Sequence, residues 1–519
     1  MKRNIILLFL FSTVFIGCDK KLDITSQKQE RTETYWQTAE QASAAVIAIY
    51  NSLIQDGTYM RMMPALTDGR GDDFTGDSPW GDLVQTGQFT VLSTSGPVQW
   101  VWAQWYQLIY RTNQVLTNVP GIEMDQALKD RLLGQAHFLR GLAYFTLANT
   151  YKAVPVILTP PVESSEYYEP TASEEVLWEQ IISDLTAAKE LLPISYAAVS
   201  GPDANQIGRV TKGAATGILG KAYLYRKNWT AAAEQFKLLI DGPELNLYSL
   251  MPNYRDNFKP TNENNAESLF EVQFADPDAV GGTVFNYGGE PNANWKQVSS
   301  VGHTYAMDGF GYSDFLPTRG IYSAFKEEKT VDGQLDPRLL STIASFEPGV
   351  SELAYGAAWK NPKTNIYPRK YTHDGIPGYT NENNGVENSG INYRVLRYAD
   401  VLLMYAEALN ELGQTTQAYS YIQQVRDRAK LPNLATVKPN MSQEQMRDQI
   451  AHERYLELAI EGIRINDIIR WGWLYNPEKL EILKDHDSDF NTWRPGKEYL
   501  PIPQRELDLN KNLLTNPAN

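Results

Sequence analysis

The chain has 519 residues, 42% hydrophobic and 21% charged, which is ordinary globular usage and excludes a disordered or collagen-like polymer. Its 62 acidic against 47 basic side chains give a formal charge of −15. With no Lys/Arg stripe to displace counterions, that balance excludes a nucleic-acid binder, and a single cysteine excludes an internal disulfide or a Cys/His zinc set.

Lys2 and Arg3 form a basic start, Ile5 to Ile16 an apolar run, and Gly17 a small residue before a cut. Residues 1–17 therefore read as a secretory signal, too short and wrongly flanked for a membrane span. The lone cysteine, Cys18, follows at once. A signal ending in Gly-Cys resembles a bacterial lipobox, in which that thiol is acylated and becomes the new N-terminus. Phe15 and Ile16 stand where Leu and then Ser or Ala are usual, and an ordinary signal with a stray cysteine is the alternative. Acylation by two or more chains anchors stably, since each buried CH₂ contributes about 0.8 kcal/mol. Residues 18–35 are polar and without period, a lipidated flexible tether.

Helical spacing starts at Trp36: Ala42, Val46, Ile49, Tyr50 and Leu53 share a face of 36–54. A Gly/Asp-rich loop follows at 67–82, then helices at 98–119 and 131–151, the latter stopped by Val154-Pro155. Thr171 and Glu174 read as a capping box for a helix over 171–193. Residues 211–240 read as a helical hairpin pivoting at Lys227-Asn228, and 393–429 as another pivoting at Gly413. Both place alanine five residues before the pivot (Ala222, Ala408) and five after it (Ala232, Ala418), and a bulky apolar residue nine after it (Phe236, Ile422). This resembles the tetratricopeptide pattern, with the copies dispersed by insertions; two generic amphipathic hairpins are the alternative.

Between 251 and 392 helical period is mostly lost and Gly, Pro, Asn and aromatics dominate. A short strand at 267–274, long ordered loops at 281–300 and 302–320, and a helix at 317–327 are expected there. One helix is expected over 442–473, capped by Ser442 and Gln445, and an extended tail over 498–517. The expected organisation is a helical scaffold at 36–250 and 393–475, a loop-rich insertion at 251–392 and an extended C-terminal tail at 476–519 packed on the scaffold.

Four ordered segments are more specific. They are AHFLRGLAYFTLANTYKAVPVI (136–157), YRVLRYADVLLMYAEALNELG (393–413), ERYLELAIEGIRINDIIRWG (453–472) and YLPIPQRELDLNKNLLTNP (499–517). Together with the lipobox they resemble the SusD/RagB family of Bacteroidetes surface lipoproteins from end to end. Tyr455 stands where the family has a second Arg, Ile465 where an aromatic is usual, and the chain ends Asn-Pro-Ala-Asn. The resemblance implies a mainly α fold: a right-handed tetratricopeptide-like scaffold of about four helix pairs with an irregular insertion carrying a few short strands. It implies lipid anchoring on the outer face of the outer membrane and a SusC-like TonB-dependent transporter as partner. It also implies capture of an oligosaccharide for import, with peptide capture as an alternative. A structural lid without ligand affinity of its own is a further one.

Catalytic motifs fail on inspection. HERYL (452–456) lacks the second zincin histidine, GAATGILGKA (213–222) lacks the first Gly and the Ser/Thr of a phosphate loop, and G-x-S-x-G is absent. Glu453, Glu457 and Glu461, with Arg454 and Arg464 nearby, read as an ion-pair network rather than a catalytic pair. The Asp-rich loop misses EF-hand spacing, so neither metal nor cofactor is assigned. Binding is therefore the expected chemistry. A sugar ring offers a flat C–H face to an exposed aromatic and a hydroxyl rim to Asn, Asp or Arg. Three loop stretches combine these types: Trp80 with Arg70, Asp72 and Asp73; Tyr287 and Trp295 with Asn292 and Asn294; and Tyr305, Phe310 and Tyr312 with Asp308. Trp100, Trp102 and Trp105 lie on a helix and are assigned to core or interface, and Trp471 and Trp473 to the structural motif.

Overall fold

The computed structural model describes residues 35–275, 297–359, 362–376 and 389–515. Cys18, the signal and nearly all of the tether lie outside them, as do Tyr287, Asn292, Asn294 and Trp295.

Helix α1 (Ala39–Leu53) opens on a Thr38/Gln41 capping box and buries Ala42, Val46, Ile49 and Leu53, steps of four and three that keep one face inward. After α2 (Met62–Asp68), strand β1 (Phe74–Gly76) and the short α3 (Gly81–Gly87) come the long helices α4 (Gly96–Asn118) and α5 (Gln126–Tyr151). Then follow α6 (Glu174–Leu191), α7 (Lys212–Tyr225) and α8 (Trp229–Asp241). Strand β2 (Ser268–Val272), β3 (Phe315–Pro317) and α9 (Arg319–Glu327) belong to the irregular middle. Strand β4 (Tyr393–Arg397) leads into α10 (Tyr398–Glu411) and α11 (Thr415–Arg428). The chain closes with α12 (Gln443–Glu457), α13 (Arg464–Trp471), α14 (Pro477–His486) and α15 (Gln504–Leu509).

The scaffold is mainly α and tetratricopeptide-like. Each helix packs on the next: α1 on α4, α4 on α5, α5 on α6, α6 on α7, α7 on α8, α8 on α10, and α10 on both α11 and α12. The α7/α8 and α10/α11 hairpins turn at Lys227 and Gly413, both in the left-handed region. Ala222, Ala232, Ala408, Ala418, Phe236 and Ile422 are all fully buried. The small residues let the paired helices close: a Cβ on Gly220 would lie only 2.6 Å from the Phe236 ring. Among the described residues, strands form only two-stranded antiparallel ribbons, including β1 with β3 and β2 with β4.

Several boundaries differ from expectation. Tyr393–Arg397, expected as helix, is strand β4, paired with β2 in the register Ser268↔Arg397 and Val272↔Tyr393. Helix α6 is capped by Ser173, which accepts from Val176 N, while the Thr171 hydroxyl accepts from Leu514 N in the tail. The tail over 476–519, expected as extended, contains the helices α14 and α15. The expected single helix over 442–473 starts on its Ser442/Gln445 box but breaks after Glu457. Ile460 and Gly462 take φ of 58° and 70°. The freed amides are not lost: Ile460 N donates to Asp73 Oδ2 at 3.3 Å and Gly462 N to Asp68 Oδ1 at 2.6 Å.

Buried charge ties the irregular middle to the helices. Arg338, from the middle segment, reaches Glu453 at 2.7 Å and Glu457 at 3.3 Å. Arg397 reaches Glu457 at 3.0 Å and Glu461 at 2.7 Å, and also pairs with Glu267. Lys370 reaches Glu461 at 2.9 Å and Arg428 reaches Glu457 at 2.5 Å. Burial alone would raise the Glu457 carboxyl, but Arg428, Arg397 and Arg338 override it and hold it at about 2. The three glutamates are thus the hubs of a network, although Glu461 sits beyond the helix that carries the other two.

Candidate functional site

The Asp-rich loop after α2 places its charged residues inward. Arg70, Asp72 and Asp73 are 3%, 0% and 1% exposed. Asp72 pairs with Arg464 and accepts from His486 Nδ1 at 2.7 Å. Burial opposes its ionisation, yet Arg464 and His486 hold its carboxyl at about 2. Burial, with Asp72 and Asp68 alongside, pushes the Asp73 carboxyl up to about 8. Arg70 donates to the Glu498 carbonyl, and burial pulls its guanidinium down to about 10. These three residues, expected on a ligand rim, are instead pins between the loop and the C-terminal third. Tyr305 is corrected likewise: it is fully buried, its hydroxyl donating to Asp68 Oδ2 at 2.7 Å.

What the loop does present is Trp80, half-buried at the N-cap of α3. Its backbone N–H donates to Ser78 Oγ at 3.0 Å and its Nε1 to Asp82 Oδ2 at 3.1 Å. Trp100 on α4, also half-buried, lies beside it with ring centroids 5.8 Å apart and planes inclined at 56°. The Arg61 guanidinium sits 5.5 Å from the Trp80 ring centre, at cation–π range, and is itself paired to Asp56 at 3.0 Å. Two indoles, a guanidinium and a carboxylate thus share one position, each fixed by a named partner.

The stretch after Tyr305 joins this position through backbone. Strand β1 pairs with β3, and beyond that ribbon Asp77 N donates to the Asp314 carbonyl at 2.8 Å. Tyr312, two residues before Asp314, is 40% exposed and meets His303 edge to face at 4.5 Å. Phe310 stacks on Tyr355 at 4.2 Å and 15°, and Asp308 is exposed. The second stretch, with Tyr287, Asn292, Asn294 and Trp295, lies outside the described residues. Its flanks Ala275 and Gln297 are hydrogen-bonded at 2.9 Å, and Ser300 N donates to Met60 O, next to Arg61.

Two family models match the chain, one described as the SusD family over residues 266–518 and one as starch-binding associating with outer membrane over 22–224. A SusD-like protein P2 of Formosa agariphila is 28% identical over 99% of both chains. A SusD superfamily protein of Bacteroides vulgatus superposes with a TM-score of 0.80 at 27% identity, covering 94% of this chain and all of the other. A laminarin binding SusD-like protein superposes at 0.74 and 27% identity, covering 93% of this chain and 100% of the other.

The chain belongs to the SusD/RagB family.

Its departures from the SusD/RagB motifs have physical reasons. Tyr455, in place of the second motif Arg, donates its hydroxyl to the Asp72 carbonyl at 2.9 Å and puts its ring 4.5 Å from the Arg464 guanidinium. Ile465 is fully buried in a separate cluster with Phe89 and Phe490. In this SusD/RagB chain, reading the sequence missed Arg61, Ser78, Trp100 and Asp314. Trp100 had a signal: Val98, Val101, Trp102 and Trp105 fill the inward face of α4, which leaves position 100 off it. Trp102 and Trp105 are buried, as expected. Among the described residues, no group of three or more His, Cys, Asp or Glu is arranged to hold a metal, and no helix is long and apolar enough to cross a membrane.

Proposed function

We propose that this SusD/RagB protein is a glycan-binding lipoprotein of the outer-membrane surface. Anchored through acylated Cys18, it captures oligosaccharide without cleaving it and delivers it to a SusC-like TonB-dependent transporter. The observation that carries this reading is the Trp80–Trp100 pair beside Arg61 and Asp82. A pyranose can lay its C–H face on an indole while its hydroxyls donate to the half-buried Asp82 carboxylate, with Arg61, buried and paired to Asp56, backing the Trp80 ring. Because these side chains are already held in place, little conformational entropy is lost on binding. The outer-membrane starch-binding description of one family model and the laminarin binding of a structural neighbour support the ligand class.

Affinity at one such site is expected on the order of 10⁻³ to 10⁻⁶ M, since a polar flexible ligand must be desolvated and ordered. Many copies on one surface then raise retention through effective concentration. Exposed Asp308 and Tyr312, with half-buried Phe310, are further candidate contacts for longer chains.

The reading is tested by calorimetric titration of the mature protein with a panel of neutral oligosaccharides and a panel of peptides. Saturable heat from the glycans alone, with unchanged ligand after prolonged incubation, is the expected result. Heat from peptides alone would move the ligand class, heat from neither would leave a structural lid, and shortened glycans would make it a hydrolase. Mass spectrometry of the mature N-terminus should find Cys18 diacylated or triacylated.

A further inference from the structure

A second cleft, lined by none of the residues around Trp80, lies between α10, α12, α13 and the start of α8. Its volume is about 460 Å³, within the range of small-molecule sites. Three tryptophans line it, Trp229, Trp471 and Trp473, and all three are half-buried. Trp471 and Trp473 lie 5.4 Å apart at 36°. Trp471 is fixed by donating Nε1 to Glu407 at 2.9 Å, and Arg464 and Lys479 hold cation–π positions 5.0 and 5.2 Å from the Trp473 ring centre.

Trp471 belongs to the structural motif, and its bond to Glu407 fits that role. Trp229, at the first position of α8, packs in part on the main core and Trp473 on the Phe89/Phe490 cluster, yet all three indoles stay only half-buried in one hollow. Such a grouping of half-exposed aromatics marks a binding surface.

The rim decides the ligand's charge. Four acidic and four basic side chains line the cleft, in a chain whose formal charge is −15. Arg447 holds Glu411 with two bonds of 2.6 and 2.9 Å, and Lys479 meets Asp448 at 2.5 Å. Both pairs are partly solvent-exposed, with Arg447 at 48% and Asp448 at 56%. At the Arg447–Glu411, Lys479–Asp448 and Arg470–Glu407 pairs a charged ligand would meet a like-charged group beside the opposite one. A neutral polyol gains instead, because its hydroxyls can both donate to the carboxylates and accept from the cations.

We infer that this tryptophan-lined cleft is a second saccharide site, selective for neutral sugars and separate from the Trp80 platform. It rests on the glycan reading for its ligand class but shares none of its residues. Two sites on one body would let a single polysaccharide strand, or two strands, be held at once, which lengthens retention without new contacts.

Fluorine NMR of the fluorotryptophan-labelled full protein separates the two sites, with resonances assigned by Trp80→Phe, Trp100→Phe, Trp229→Phe and Trp473→Phe. The probes are neutral gluco-, manno- and xylo-oligosaccharides, with polygalacturonate as the charged contrast. The inference predicts saturable movement of the Trp229 and Trp473 resonances by at least one neutral probe and none by polygalacturonate. Trp229→Ala should weaken the Trp473 response about five- to tenfold. Movement confined to Trp80 and Trp100 would overturn the second site and leave the first. Movement confined to Trp229 and Trp473 would support the second site and overturn the first. No movement at any of the four, or equal movement with polygalacturonate, would overturn the inference.

Discussion

The Ser78 hydroxyl donates a 2.6 Å hydrogen bond to Asp314 Oδ1, joining two stretches 236 residues apart in the chain. The same Ser78 oxygen accepts from Trp80 N, so one hydroxyl sets both the loop and its tryptophan. Ser78→Ala should cost about 1–3 kcal/mol of stability, since it removes two hydrogen bonds and leaves the buried Asp314 carboxyl without its donor. Because it releases the Trp80 loop, it should weaken neutral-glycan binding about three- to tenfold in calorimetry. Unchanged affinity would show that the loop needs no such tether.

Glu457 accepts from Arg338, Arg397 and Arg428 with no solvent to replace it. Glu457→Ala leaves three buried guanidiniums short of a partner and should destabilise the protein by about 3–5 kcal/mol in urea unfolding. Glu481→Ala, which removes an exposed pair with Lys484, should stay within about 0.5 kcal/mol. Equal effects would dissolve the claim that the buried network holds the middle segment to the helices.

The Asp73 carboxyl, raised from 3.8 to about 8 in the folded protein, gives a pH test with a definite sign. Between about pH 4 and about pH 8 the folded state keeps a proton that the unfolded state has lost, so this group's stabilisation falls as pH rises. Asp73→Asn keeps an oxygen for the Ile460 amide and removes the titration. Plotted against pH, the Tm of the wild type minus that of Asp73→Asn should decline across that window. A flat or rising difference would contradict the burial of a protonated carboxyl there.

Gly462 combines a φ of 70° with a crowded site: a Cβ would fall 2.8 Å from the Tyr393 hydroxyl and 2.9 Å from Thr67 Oγ1. Gly462→Ala should cost about 1–2 kcal/mol for the left-handed backbone, with further loss from the contacts. The chemical denaturation midpoint should fall accordingly. A midpoint equal to wild type would mean that the break between α12 and α13 is not built as described.

The helical hairpins were legible because their cause is local. Spacing of Ala222, Ala232 and Phe236, repeated at Ala408, Ala418 and Ile422, both forms the helices and lets them close. The break after Glu457 was not legible, because the acceptors that capture its free amides, Asp73 and Asp68, lie 387 and 394 residues earlier. For the same reason the Asp-rich loop misled. Asp72 has the residue type of a sugar-binding rim, and only the fold reveals that it faces Arg464 and His486. Trp80 was legible as a loop aromatic, but its neighbours Arg61 and Trp100 come from other elements and carry no signal tying them to it.

The most direct test is calorimetric titration with a neutral oligosaccharide in a Trp229→Ala background, where the second cleft is weakened, with and without Trp80→Ala. The account predicts saturable binding in the single variant and at least about tenfold weaker binding in the double variant, about 1.4 kcal/mol. The two Tm values should agree within a few degrees, because Trp80 is only half-buried. Superimposable isotherms from the two proteins would contradict it.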